Sequence, residues 1–504
     1  MTSTSTAPRP APGLSDEDVG RFGYRQPARR TLRAFTSFAV GFSFISITSG
    51  TFASYGFVLN TSGPRGIFNW LIAGAGQILV ALIFMAFAAR IPLAGYSYQW
   101  ASRIVGPRIG WAFGWLCYAF LAVVVVAVDY GFATQAFMPL FDIEVTTSSA
   151  QVVTVLTLVA QAIFIIASTR LTALVNGAAV GAEIAGMLGL TVVLLVAVAI
   201  TGDGSVSNLT SSGIVDDGAG SGYWAYNGPF MLAILIGAYT IVGFESAANL
   251  AEETEHPTRV VPPAMFRAVT ASVVIGFIFL VALTLAVPDV AAISKEASPV
   301  AAVIDAQLGG TFGRVFLAFV VVAIFANGLV IMMSGSRLVF AMSRDRRFPG
   351  HQLFGRVSHS TGTPIWATLL ILAGGVIFTL VFKTDALVKL FTAGTILPAL
   401  IYLVTVLLYI AARRRLRALP TTFDLGRWEI PVVVGALAWL VFELTVLTLP
   451  SEFFDPVKLV GVMLVIGVVV YAALYAADRH AFAAEPGDPL DALPSSPPVP
   501  SEAS

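Results

Sequence analysis

Apolar stretches of about 20 residues recur twelve times along the chain, and that is the length a helix needs to cross about 30 Å of hydrocarbon. They lie near 35–57, 67–89, 111–138, 150–168, 172–200, 228–251, 267–287, 314–341, 365–382, 387–410, 430–449 and 457–477, with the fourth and fifth separated at Ser168–Leu171. The runs are continuous rather than alternating, which argues against a membrane β-barrel. Of the 504 residues 57% are hydrophobic and 12% charged, against roughly 45–50% and about 25% in soluble domains. Too few polar side chains remain to cover that apolar mass, so the fold class is all-α integral membrane. Lys+Arg and Asp+Glu both total 29, which excludes a nucleic-acid binder, since that needs a basic excess. The single cysteine, Cys117, excludes an intrachain disulfide or a cysteine metal cluster. The first run is too long for a cleavable signal peptide and leads into no soluble domain.

Loop charges orient the spans. An inside N-terminus puts Arg90, Arg103, Arg108, Arg170, Arg259, Arg344, Arg346, Arg347 and the run Arg413, Arg414, Arg415, Arg417 on the inner side. Arg65, Lys295, Arg314, Lys383, Lys389 and Lys458 fall outside. That asymmetry predicts a multi-pass protein of the cell membrane with both termini cytoplasmic. Residues 1–30 and 481–504 are rich in Pro, Ser, Thr and Ala and are expected to be disordered tails. Between them, 31–411 would form a ten-helix core and 412–480 would hold helices 11 and 12.

Two spans carry polar, Gly-containing interruptions. The first is Ser46, Ile47, Thr48, Ser49, Gly50 and Thr51; the sixth is Gly237, Ala238, Tyr239, Thr240, Ile241, Val242, Gly243, Phe244 and Glu245. Non-helical backbone is tolerated at membrane depth where it lines a cavity. The interruptions lie five spans apart, and an odd repeat length makes two halves of inverted topology, as in secondary transporters with a mid-membrane site. The alternative is that these small residues only permit close helix packing. A broken helix suits a zwitterion. The amides at the start of its outer half attract a carboxylate, and carbonyls at the end of the opposing half suit an ammonium.

Four stretches in order resemble the amino acid–polyamine–organocation permeases, most closely the bacterial amino acid permeases related to the amino acid/choline transporters. They are Ile47-Thr48-Ser49-Gly50-Thr51-Phe52, Pro92 to Trp100 with Gly106-Pro107 and Gly114-Trp115, Gly243-Phe244-Glu245-Ser246 with Glu252-Glu253-Thr254 and Pro257, and Ser336-Arg337 through Arg344-Asp345 with Phe348-Pro349 and Thr363-Pro364. Thr48 and Thr51 depart from the commoner Gly and Ile. The resemblance implies twelve helices, a five-plus-five inverted repeat of the leucine-transporter type with helices one and six discontinuous, and two extra C-terminal helices. It implies alternating access for an amino acid or small amine, and an aromatic gate near Tyr239 or Phe244.

Ionisable groups deep in a span are expensive and read as functional by default. Asp129, Glu183, Glu245 and Glu443 qualify, whereas no Lys or His does. A proton relay must therefore use carboxylates. Glu245 follows the second interruption, where relatives carry an acid linked to coupling or proton sensing; bonding to backbone N–H groups freed at the break is the other reading. Some proton-coupled relatives carry a Lys near Glu183 that stands in for sodium. The acid here means that mechanism does not carry over, and Glu183 is a candidate for binding H+, or Na+ together with Ser334 or Ser336. Asp129 is a candidate for the substrate ammonium, favouring amines or basic amino acids, unless it is spent on a bond within the bundle. Glu443 lies outside the core and reads as structural. Arg344, Asp345, Arg346 and Arg347 can close an inner gate by salt bridges.

No Walker-type phosphate loop or catalytic set appears, so the chain reads as a non-enzyme without cofactor or metal. The function expected is proton-coupled symport through the lipid bilayer. Exchange of substrate and product, or a non-transporting sensor or channel on the same scaffold, are the alternatives.

Overall fold

A computed structural model of the chain describes residues 33–215, 222–358, 361–381, 384–419, 421–483 and 485. The N-terminal tail, His359, Lys383 and most of the C-terminal tail lie outside the described residues. Every regular element among those described is helical. The first apolar run forms α1 (Ala34–Ile45) and α2 (Ile47–Thr61), and the second forms α3 (Asn69–Ala88). A short helix, α4 (Tyr96–Ile104), precedes α5 (Pro107–Gly131), which continues through a π-helical turn, Phe132–Phe137. Next come α6 (Thr147–Ala167) and α7 (Thr169–Thr201). The sixth run is interrupted and holds α8 (Leu235–Thr240) and α9 (Ser246–Asn249). Then follow α10 (Pro257–Leu285), α11 (Pro299–Arg344), α12 (Ile365–Val381), α13 (Thr384–Ala418), α14 (Glu429–Thr448) and α15 (Phe454–Ala477).

Among the described residues, ten helices are long and apolar enough to cross a membrane, and the sixth and ninth runs carry the shorter apolar helices Pro229–Thr240 and Ile365–Val381. Proline opens α5, α10 and α11, where its missing N–H would be unpaired anyway. Ser168 is extended and caps α7 by accepting from the Leu171 N–H, so the fourth and fifth runs are separate helices. The eighth run begins earlier than hydropathy suggests. Residues 299–308 are already helical, and Gly309 at φ 72° joins them to the apolar part of α11. Asp305 and Gln307 dilute the apolar signal there.

Burial sorts the bundle. The apolar window of α5 is 72% buried, that of α7 28% and that of α15 11%. The centre is α1, α2, α5, α8 and the apolar half of α11. Leu174, Val192, Val196 and Ile200 of α7 and Val462, Val465 and Val469 of α15 are exposed, as expected of a lipid-facing belt. Part of the expected C-terminal tail is packed: Phe482 is buried against Tyr471 and Tyr475.

Candidate functional site

The first span breaks at one residue. Ser46 sits at φ 37°, ψ 93°, between α1 and α2. Such a conformation costs a non-glycine residue about 1–2 kcal/mol and persists only if its surroundings hold it. They do so through three contacts. The Ser46 hydroxyl accepts from the Ser49 N–H at 3.2 Å and donates to Glu183 Oε1 at 3.0 Å. The Thr48 N–H donates to the same carboxyl oxygen at 3.3 Å. On the other side of the break, the last carbonyls of α1 lack helical partners. The Asn327 amide donates to Ser43 O at 2.6 Å and Phe44 O at 2.7 Å. Glu183 from α7 and Asn327 from α11 thus clasp the two sides of the joint, and both are buried.

The sixth span unwinds between Thr240 and Ser246. Gly243 has φ 82°, a conformation in which glycine has no steric penalty. Its N–H donates to the Tyr402 hydroxyl at 2.8 Å, and that hydroxyl donates to Glu245 Oε2 at 2.7 Å. Tyr402 comes from α13 and packs edge-on to Phe84 at 5.1 Å and tilted against Phe244 at 5.3 Å. Glu245 therefore reaches the freed backbone through Tyr402.

The two breaks abut. A Cβ on Gly50 would overlap the Thr240 side chain, and one on Gly243 would overlap the Phe44 ring. The Ser246 hydroxyl donates to Val40 O at 3.3 Å. Ile47, Thr48, Ser49, Gly50 and Thr51 are thereby brought together with Ala238, Tyr239, Thr240, Gly243 and Phe244, all of them buried. Around this crossing the hydroxyls of Ser43, Thr51 and Tyr239 are buried with no hydrogen-bond partner among the described residues. Buried hydroxyls are nearly always bonded, so each is an open valence for a polar ligand or water. The Tyr239 ring meets Phe391 edge-on at 5.4 Å.

Other residues singled out from sequence lie apart. Asp129 accepts at one oxygen from the Gln161 amide at 2.7 Å and faces Gly328 of α11, next to Asn327, while its other oxygen is buried with no partner among the described residues. Ser336 pairs with the Thr368 hydroxyl at 2.8 Å. Ser334 has a buried, unpartnered hydroxyl, but it lies seven residues, about 10 Å of helix rise, beyond Asn327. Residues lining the small cavity beside Glu183 are instead Thr48, Gly186, Met187, Leu190, Phe316, Phe319 and Val320. Neither serine is brought to Glu183. Glu443 meets the Gln77 amide at 3.5 Å, where α14 packs on α3. Asn327, Tyr402 and Gln161 are not among the residues the sequence singles out. Their signal is a polar group inside an apolar run, and it is uncharged.

At the basic end of the bundle, ion pairs tie α11 to the segment after α9. Arg337 donates to Glu253 at 2.8 Å and Arg344 to Glu252 at 3.3 Å, and the Ala94 N–H also donates to Glu252. Tyr98 donates to Asp345 at 2.6 Å. The pairs border a cavity of about 40 Å3 that Asn249 also lines. Breaking the clamp should expose that cavity. Because Cys117 is buried, an Asn249→Cys variant gives a clean labelling site. Adding Arg337→Gln is expected to speed its reaction with a thiol reagent several-fold, and an unchanged rate would show that the pair does not close this end.

Residues 32–474 match the family model described as "Amino acid permease". The chain is similar to the amino-acid permease BAT1 of Arabidopsis thaliana, at 25% identity over 88% of this chain and 91% of the relative. It is similar to the branched-chain amino acid permease BcaP of Lactococcus lactis, at 23% identity over 82% and 87%. It is also similar to the GABA-specific permease of Saccharomyces cerevisiae, at 24% identity over 86% and 78%.

Proposed function

Because the chain belongs to the amino acid permease family and is a multi-pass membrane protein that transports amino acids, we propose that it works by alternating access as a proton-coupled symporter. The twelve apolar runs are then twelve spans, with 31–411 the five-plus-five inverted-repeat core and helices 11 and 12 at 412–480. The basic end faces the cytoplasm, as loop arginines do.

The observation that carries this proposal is the crossing of the two broken spans, with three unpartnered hydroxyls beside it. A zwitterion satisfies such a place from both sides. Its carboxylate is drawn by the dipole of α2, whose Thr48, Ser49 and Gly50 N–H groups are already bonded to Glu183 and Ser46, and its ammonium takes carbonyls at the end of α8. The Thr51, Ser43 and Tyr239 hydroxyls supply further bonds. Asp129 spends one oxygen on Gln161, and the other is buried with no partner among the described residues. The names of the bacterial and yeast relatives, a branched-chain amino acid permease and a GABA-specific permease, support a substrate without net charge.

Proton coupling is assigned to Glu183. It is the acid that touches the joint of the first span directly, accepting from both Ser46 and Thr48. A Na+ site shared with Ser334 or Ser336 has less support, because Ser336 is bonded to Thr368. The test is uptake of labelled neutral amino acids into proteoliposomes under an imposed pH gradient. Accumulation that follows the gradient supports symport. Uptake that ignores pH and Na+ gradients but requires internal substrate would make the protein an exchanger, and saturable binding without flux would make it a sensor. Ser49 is buried one residue before Gly50, where the broken spans touch. Ser49→Trp is expected to abolish uptake while membrane insertion persists, and normal uptake by that variant would refute this site.

A further inference from the structure

A groove of about 410 Å3 runs along the outer face of the bundle between α5 and α15. Its walls are almost wholly apolar. Trp111 and Trp115 stack at 5.7 Å on one side. The Trp115 N–H donates to Met463 O at 2.9 Å, and Gly467 lets the indole lie against the α15 backbone, since a Cβ there would overlap it. The floor is thus a fixed surface rather than loose side chains. Ile109, Leu464 and Val468 form the rim and are 45%, 39% and 68% exposed.

One end of the groove is charged. Arg108, in the first turn of α5, lines it there. Its guanidinium donates to the Tyr475 hydroxyl at 3.3 Å and lies 5.3 Å from that ring. Among the described residues no carboxylate pairs with Arg108. Arg479 approaches the same ring at 5.8 Å. The dipole of α5 adds partial positive charge at this end. A second copy of the chain seated here would have to supply a counter-ion to Arg108 or bury it at a desolvation cost. A ligand with an anionic head and a long apolar tail satisfies both parts.

We propose that this groove binds one anionic phospholipid, with an acyl chain along Trp115, Leu464 and Val468 and the phosphate at Arg108. The volume is on the scale of a single acyl chain. The site stands behind the ion-pair clamp: the Trp111 N–H donates to Arg347 O at 2.9 Å, three residues from Arg344. A bound lipid would therefore buttress the loop that follows α11.

The test is native mass spectrometry of the full chain released from detergent, with phosphatidylglycerol and phosphatidylcholine of identical acyl chains as probes. Phosphatidylglycerol adducts are expected to survive at about fivefold lower lipid concentration, the scale of one basic residue at an anionic surface. Arg108→Gln should bring phosphatidylglycerol to the phosphatidylcholine level, with a smaller loss for phosphatidylcholine, whose phosphate is neutralised by its own choline. Val468→Trp, at an exposed position, should weaken both by filling the groove. Equal retention of the two lipids by the parent, an unchanged preference in Arg108→Gln, or unchanged retention in Val468→Trp would overturn the proposal. A dimer mass that Val468→Trp abolishes would assign the groove to a second copy and overturn it as well.

Discussion

Glu183→Gln is expected to disconnect uptake from the pH gradient. A gradient of one pH unit is worth about 1.4 kcal/mol per proton, so one proton per substrate sustains about tenfold accumulation. The variant should equilibrate its substrate at a ratio of about one, while exchange of labelled for unlabelled substrate continues. The reason lies in the joint of the first span. An ionised Glu183 accepts from the Ser46 hydroxyl and the Thr48 N–H, and charge-assisted bonds of that kind are roughly twice as strong as neutral ones. It also faces the start of α2, where the amide dipoles favour negative charge. Protonation weakens all three interactions together and loosens the turn that holds α1 to α2. Glutamine fixes the neutral form. A variant that still accumulates substrate along the pH gradient would remove Glu183 from the coupling. Glu245 would then be next to test, since its bond to the Tyr402 hydroxyl also bears on a break.

The sequence carries the spans because crossing a membrane is a requirement on local composition, and twelve apolar runs satisfy it in order. It also carries the two breaks, because glycine and hydroxyl residues stand out in an apolar run. The first is narrower than the polar stretch from Ser46 to Thr51 suggests. Thr48 to Thr51 are helical, and only Ser46 leaves the helix. Hydropathy cannot resolve that, because the conformation of Ser46 is set by bonds from α7. What composition does not carry is pairing. Composition does not show that Gln161 takes one oxygen of Asp129 and leaves the other unpartnered, or that Thr368 stands on Ser336. Tyr402 is one of 13 tyrosines and is distinguished only by standing over Gly243 and Glu245 in space.

Asn327→Leu is expected to cost the fold more than its uncharged side chain suggests. The Asn327 amide makes bonds of 2.6 and 2.7 Å to the carbonyls of Ser43 and Phe44, which the break in the first span leaves without helical partners. Leucine nearly preserves the volume and removes both donors. Each buried carbonyl left unpaired costs about 1–3 kcal/mol, so the pair costs roughly 2–6 kcal/mol, a large share of a typical stability of about 5–15 kcal/mol. Thermal unfolding followed by size-exclusion fluorescence should show a fall of roughly 5–10 °C. Asn60→Ala is the control. Asn60 also makes two amide bonds, to Gly56 O at 2.8 Å and Ser294 O at 3.0 Å, but it is exposed, and water takes the place of its amide. Its loss should shift unfolding far less. If Asn327→Leu unfolds with the parent, or no earlier than Asn60→Ala, then the broken end of α1 does not depend on α11. The joint would then rest on Glu183 and Ser46 alone.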